Sequence, residues 1–458
     1  MKEKQTKKYE IDMCSGSILK KMLVFALPLM CSSILQLLFN AADIVVVGKY
    51  AGDNSLAAVG SNTALISLLT NLFVGLSIGA NVLAARYYGA KQEEELSDTV
   101  HTAMLLSVIS GLILTVIGII GAKQILIWMQ TPEEVLPLAV IYLRIYFLGM
   151  TSTMIYNFGS SILRAVGDTK RPLYYLFEAG IVNVILNLIF VILFHMDVAG
   201  VAIATVVSQT ISAFLIVRCM IREKGGIQLI LKKLKIHGDK LKGILKIGLP
   251  AGVQGIIFSL SNVVIQSSIN SFGAIVVAGN SAASNLEGFV YFAMNAFYQA
   301  TISFTSQNYG AGNWKRINRI AITGQFLVII VGVVLGNAVL LFGHQLLGIY
   351  SSNADVIEAG MQRLRIISRT YAFCGMMDVM VGSLRGIGYS VLPMIVSLVG
   401  ACGLRLLWLA TIFRIPEFHT ISMVYVSYPI TWIITLSVHV MCFFIVKRKL
   451  VHKVALAK

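Results

Sequence analysis

One passage of this chain is written twice, about 221 residues apart. Ala26-Leu27-Pro28 returns as Gly248-Leu249-Pro250, and Tyr88-Gly89-Ala90 as Tyr309-Gly310-Ala311. Leu163-Arg164-Ala165-Val166-Gly167 returns as Leu384-Arg385-Gly386-Ile387-Gly388, and the three offsets are 222, 221 and 221. Three landmarks in one register mean a duplication, so the chain folds as two copies of one architecture. Each copy is apolar: 57% of the 458 residues are hydrophobic and 13% charged, against roughly 25% charged in a soluble domain. The duplicated unit is therefore a membrane bundle.

A crossing helix needs about 20 mostly apolar residues. Twelve such stretches are readable, at about 22–47, 56–84, 100–121, 138–162, 173–195, 198–217, 245–270, 277–305, 320–343, 362–383, 391–413 and 421–446. Six fall in each copy, an even number, so both copies cross in the same direction and the repeat is parallel. The expected fold is an all-α polytopic membrane protein. Its twelve transmembrane helices form two pseudo-symmetric six-helix lobes around a central cleft. The lobes are read as 1–217 and 245–458, joined by a loop at 218–244.

The net charge of +16 is gathered in a few loops, which indicates sidedness rather than nucleic-acid binding. Lys and Arg concentrate at the N-terminus, in the 218–244 loop and in the tail Lys447-Arg448-Lys449. These are expected on the cytoplasmic side of a plasma membrane. The polar, basic start does not read as a cleavable signal. The 218–244 loop is read as a connector. An alternative is a short interfacial helix over Ile227, Ile230, Leu231 and Leu234. Six cysteines without CxxC spacing predict neither a disulfide framework nor a metal site. The chain has no Walker A motif and no dinucleotide fingerprint. It is read as a non-enzyme without organic cofactor, driven by an ion gradient.

A carboxylate inside a span costs about 2.5–3.5 kcal/mol on insertion scales and usually faces the bundle interior. Asp43, Glu178, Glu287 and Asp378 lie in or near spans. The repeat separates them. The offset places Val264 or Ile265 opposite Asp43, Ile66 opposite Glu287 and Asn157 opposite Asp378. The copies share architecture but not charge, which marks Asp43 and Glu287 for function. Asn183 and Asn187 share a helix face one turn apart. With Thr205 they make an oxygen-rich neighbourhood for Asp43, suited to a proton or to Na+. The other reading is a hydrogen-bond cluster that serves packing alone. Glu287 is read as a substrate or second cation site, or else as a carboxyl held by Asn262 or Asn285. Asp378 joins that site, or forms an ion pair with Arg385 two turns on. Glu178 is read as structural. Pro28 and Pro250 each allow a helix bend.

At these residues the chain resembles the multidrug and toxic compound extrusion (MATE) family of cation-coupled antiporters. The resemblance rests on Pro28, on Gln36-Leu37-Leu38-Phe39-Asn40-Ala41-Ala42-Asp43-Ile44-Val45-Val46-Val47-Gly48, on Leu163 to Asp168, on Gln307-Asn308-Tyr309-Gly310-Ala311-Gly312 and on Leu384 to Gly388. It implies export of organic cations against Na+ or H+, by a single chain among membrane lipids. It implies an ion-coupling site of Asp43, Asn183 and Thr205, with Pro28 in a bending first helix. Two positions depart from the family pattern. Asn187 stands where many members have a second Asp, and Phe39 where some have Tyr. The site then carries one formal charge, which leaves ion and stoichiometry open. A lipid-linked precursor flippase on a related fold is the rival reading. It favours an Arg-rich interior, whereas the interior charges singled out here are acidic. A non-transporting receptor is the third reading, with little soluble surface to support it.

Overall fold

The computed structural model describes residues 9–456, and no strand occurs among them. In the first copy the helices are α1 (Ile18–Tyr50), α2 (Asp53–Gly89), α3 (Glu93–Trp128), α4 (Leu136–Leu148), α5 (Met150–Ala165), α6 (Lys170–Leu188) and α7 (Asp197–Arg222). In the second they are α8 (Gly238–Asn270), α9 (Ala274–Gly310), α10 (Trp314–Leu341), α11 (Gly343–Gly348), α12 (Ala354–Thr370), α13 (Ala372–Gly386), α14 (Val391–Ser397), α15 (Leu404–Ala410) and α16 (Ile421–Leu456).

The repeat is kept to the residue. Helices α2 and α9 begin at 53 and 274 and end at 89 and 310, each pair 221 apart. Turn conformations follow the same register. Backbone φ is positive at Gly52 and Gly273, at Lys91 and Gly312, and at Gly167 and Gly388. The last pair explains the glycine that ends both copies of the Leu-Arg motif: at φ 96° an L side chain is strained. At Gly167 a Cβ would also lie 2.5 Å from the Ile11 backbone nitrogen.

Nine helices among the described residues are long and apolar enough to cross a membrane, and α4 with α5, bent by 46°, make a tenth. The two remaining crossings are α9 and the pair α12–α13, which stand in register with α2 and α4–α5. They miss the apolar threshold because of what they carry. Helix α9 holds Asn280, Asn285, Glu287, Asn295 and Gln299, and α12 holds Glu358, Arg363, Arg365 and Arg369. The expectation of an all-α polytopic protein stands, and its two most polar crossings are neighbours in the second copy.

The chain divides into two compact units. Unit 1 comprises Leu27–Gly252 with the residues up to Asp12, and unit 2 comprises Met13–Ala26 with Val253 onward. Relative to the sequence division, 13–26 goes with the second unit, and 238–252, the start of α8, with the first. Pro28 and Pro250 stand within three residues of the points where α1 and α8 pass from one unit to the other.

Within unit 1, Gly75 and Gly79 of α2 face Gly248 and Gly252 of α8, two small-xxx-small pairs. A Cβ on Gly75 would lie 2.3 Å from the Gly252 nitrogen, and one on Gly252 would lie 2.5 Å from the Leu72 carbonyl oxygen. In lipid, where hydrophobic burial gives no drive between helices, such close backbone approach supplies the contact energy. Gly252→Leu is expected to cost on the order of 2 kcal/mol or more through overpacking against backbone. The check is thermal unfolding of the purified variant in detergent. A melting temperature equal to wild type means the contact does not matter.

The segment between α7 and α8 does not form the interfacial helix. It holds one short 3-10 turn, Leu231–Lys233. Ile227 and Leu229 are buried. The His101 ring nitrogen Nε2 accepts from the Ile230 N–H at 3.1 Å, and Thr102 Oγ1 accepts from the His237 N–H at 3.1 Å. Backbone groups that a helix would pair internally are thus taken by α3.

Candidate functional site

In unit 1 three helices bring the expected polar residues together. Helix α6 presents Asn183 and Asn187 from one face, both under 6% exposed. The Asn187 amide donates to the Asp43 carboxylate on α1 and, at 3.3 Å, to Asn183 Oδ1. Asn183 Nδ2 donates to Thr205 Oγ1 on α7 at 3.4 Å, and that hydroxyl donates to the Val201 carbonyl at 3.0 Å. The four residues therefore form one hydrogen-bonded line from a carboxylate to a backbone carbonyl.

Two features give this line chemical capacity. Asn187 Oδ1 is buried and has no hydrogen-bond partner among the described residues. It is a spare oxygen beside a carboxylate, the donor set a hard cation takes. Directly after Asn187 and the last turn of α6, the helix widens into a π-helical turn, Ile189–Leu193. Such turns interrupt regular backbone pairing and are frequent at functional sites. Tyr142 and Tyr146 of α4, stacked with ring centroids 5.9 Å apart, lie within electrostatic reach of Asp43. Sequence reading passed over them, although their i, i+4 spacing on an apolar helix was a usable signal. Glu178, six residues after Pro172, is exposed. Pro28 is buried within α1, and its carbonyl accepts from Ser32 Oγ at 2.9 Å.

Unit 2 departs from expectation in its charges. Glu287 is held neither by Asn262 nor by Asn285. Arg363 of α12 clasps it, with Nε 3.1 and 3.2 Å from the two carboxylate oxygens and Nη2 2.7 Å from Oε2. Arg363 Nη1 donates to Asn280 Oδ1 at 2.7 Å. The arginine also lies 5.5 and 5.6 Å from the ring centroids of Tyr425 and Tyr428 on α16. The Tyr291 hydroxyl lies beside the Asp378 carboxyl. The ion pair with Arg385, one of the two readings of Asp378, does not form: that guanidinium donates to Tyr298 and, at 2.8 Å, to Gln254. No ion pair or hydrogen bond joins Glu287 to Asp378, though both lie within electrostatic reach of Cys374. The interior charge is thus not all acidic. Arg363 and Arg405 are 7% and 4% exposed. Both were visible as charges inside the predicted spans 362–383 and 391–413.

A duplicated multi-pass helical protein, with a hydrogen-bonded carboxylate in one unit and a clasped ion pair in the other, has the build of a membrane transporter. The MatE family profile matches residues 28–189 and 250–410, one stretch in each copy. The chain belongs to this family of multidrug efflux transporters. It is similar to Probable multidrug resistance protein YoeA of Bacillus subtilis (strain 168), 29% identical over 397 residues, 85% of this chain and 86% of that one. It is also similar to Probable multidrug resistance protein NorM of Thermotoga maritima, 25% identical over 395 residues, 85% of this chain and 84% of that one. Among solved structures, "Crystal structure of MATE in complex with MaL6" superposes with TM-score 0.90 at 22% identity, covering 97% of this chain and 99% of that one. That likeness establishes the fold.

Proposed function

We propose that this protein is a secondary antiporter that exports organic cations across a bacterial plasma membrane in exchange for H+ or Na+, by alternating access of its two lobes. In this reading both termini are cytoplasmic, and no organic cofactor takes part. The observation that carries it is the line Asp43–Asn187–Asn183–Thr205, with its spare oxygen Asn187 Oδ1. Asp43 takes up the incoming ion, and the two amides and the hydroxyl re-pair as its charge changes. Pro28 lets α1 change shape when they do. Of Glu287 and Asp378, the latter has no salt bridge among the described residues and is the better attractor for a cationic substrate. Glu287 has its charge taken by Arg363.

The names of YoeA and NorM, multidrug resistance proteins, support the substrate class. The interior arginines give the flippase reading more footing than the acidic residues alone allowed. One of the two singled out, Arg363, is nevertheless neutralised by Glu287.

The test is efflux of a fluorescent lipophilic cation from proteoliposomes, driven separately by a pH gradient and by a Na+ gradient. Transport under one gradient names the ion; transport under neither sinks the proposal. Asn187→Leu removes a charged hydrogen bond from Asp43. It is expected to slow driven efflux roughly tenfold, the rate equivalent of about 1.5 kcal/mol. A variant as fast as wild type under the driving gradient removes Asn187 from the mechanism.

A further inference from the structure

Arg405 is an interior charge that none of the above uses. It stands on α15, is 4% exposed, and sits in the middle of the predicted eleventh crossing. Its guanidinium lies 3.9 Å from the ring centroid of Tyr428, and Nη2 donates to Thr431 Oγ1 at 3.0 Å. Nε is buried and has no hydrogen-bond partner among the described residues. The charged groups nearby do not neutralise it. Arg363 is itself a cation and already holds Glu287. The thiols of Cys374 and Cys402 are within electrostatic reach but are not carboxylates. No salt bridge to Arg405 occurs among the described residues.

An arginine at a helix centre in a membrane is costly, about 2.5–3.5 kcal/mol on insertion scales, and is normally paired. Here the guanidinium meets one hydroxyl and one ring face, and its buried Nε is left over among the described residues. Donors in excess, with positive charge and no anion, are the complement of an anionic ligand.

We propose that unit 2 contains an anion site built on Arg405, with Tyr428 and Thr431 around it, that takes a small monovalent anion. The anion is either a carboxylate group of an organic molecule or a free halide. A carboxylate matches the planar guanidinium fork in two bonds, whereas a halide answers to charge alone. Tyr428 stacks on the guanidinium and Thr431 orients it, so that Nε stays free for the ligand. The site does not depend on Asp43 as the coupling group. If the anion is a carboxylate of the cargo, the transported molecules include zwitterions.

The test is binding, not transport, so its failure is separable from failure of the antiporter reading. Full-length protein in detergent is melted in sodium salts of chloride, acetate, benzoate and a bulky sulfonate, at constant Na+ and ionic strength. A ligand that binds the folded state raises the melting temperature in step with the logarithm of its concentration. Wild type is expected to rise with chloride or with the carboxylates but not with the sulfonate, and Arg405→Gln to stay flat. A rise with the carboxylates alone assigns the organic source, and a rise with chloride alone the halide. A flat wild type, or an equal rise in Arg405→Gln, overturns the site. Where Arg405→Gln gives no cooperative melt, Thr431→Val, which removes the hydroxyl that orients the guanidinium, replaces it. Deleting that one hydroxyl is expected to raise the anion concentration required roughly threefold to tenfold, and an unchanged requirement also overturns the proposal.

Discussion

Asp43→Asn is expected to abolish gradient-driven efflux while leaving a folded protein. Asparagine keeps the size and one carbonyl oxygen of the aspartate, so the Asn187 amide retains an acceptor and α1 keeps its place against α6. What the variant lacks is a group that exists in two charge states. It can neither bind and release a proton nor hold Na+ with a full negative charge. The loss is that of a charged interaction in a half-buried site, up to about 3 kcal/mol or a factor of roughly a hundred. Two measurements on the same proteoliposomes locate the defect. Driven efflux of the lipophilic cation is expected at background, while exchange of labelled for unlabelled cation across a vesicle without any gradient persists. Driven efflux at the wild-type rate ends the case for Asp43 as the coupling residue. Loss of exchange as well means that Asp43 serves the transport cycle itself and not the coupling.

The fold was legible because it is written in period and repetition. The 221-residue offset fixes six crossings per copy, and it carries α9 and α12–α13 over the threshold that their own polarity fails. The line in unit 1 was half legible. An i, i+4 spacing puts Asn183 and Asn187 on one face, but Asp43 stands 144 residues away from Asn187, and only a resemblance links them in advance. Arg363 was not found, and the reason is physical. An arginine near the end of a span reads as an interfacial anchor, because long cationic side chains reach toward the headgroups. Whether it turns inward is decided by a carboxylate 76 residues earlier on another helix, which no local pattern records. The connector failed as a helix for a related reason. Ile227 and Leu229 are spaced for two-residue alternation, and the buried ring of His101 and the hydroxyl of Thr102 take its backbone donors.

Breaking the Glu287–Arg363 clasp is expected to be the most damaging change to stability in unit 2. Both groups are over 90% buried, and the pair is bidentate. Removing one partner of such a pair typically costs about 3–5 kcal/mol, because the survivor is left charged and uncompensated. The two removals are not equivalent. Glu287→Leu leaves Arg363 with the Asn280 oxygen and the faces of Tyr425 and Tyr428, so its charge keeps partial partners. Arg363→Leu leaves Glu287 with no other hydrogen-bond partner found among the described residues, and should lie at the upper end of the range. The double variant Glu287→Leu/Arg363→Leu removes both charges together and is expected to regain most of the loss, since an apolar pair of similar volume is often neutral. Denaturant unfolding in detergent of the four proteins closes the cycle. A coupling near zero means that each charge has some other partner, and the clasp is then an incidental contact. A large coupling combined with normal driven efflux in the double variant assigns Glu287 to holding α9 against α12. Substrate attraction in unit 2 then rests on Asp378, which stands beside the Tyr291 hydroxyl and in no salt bridge among the described residues.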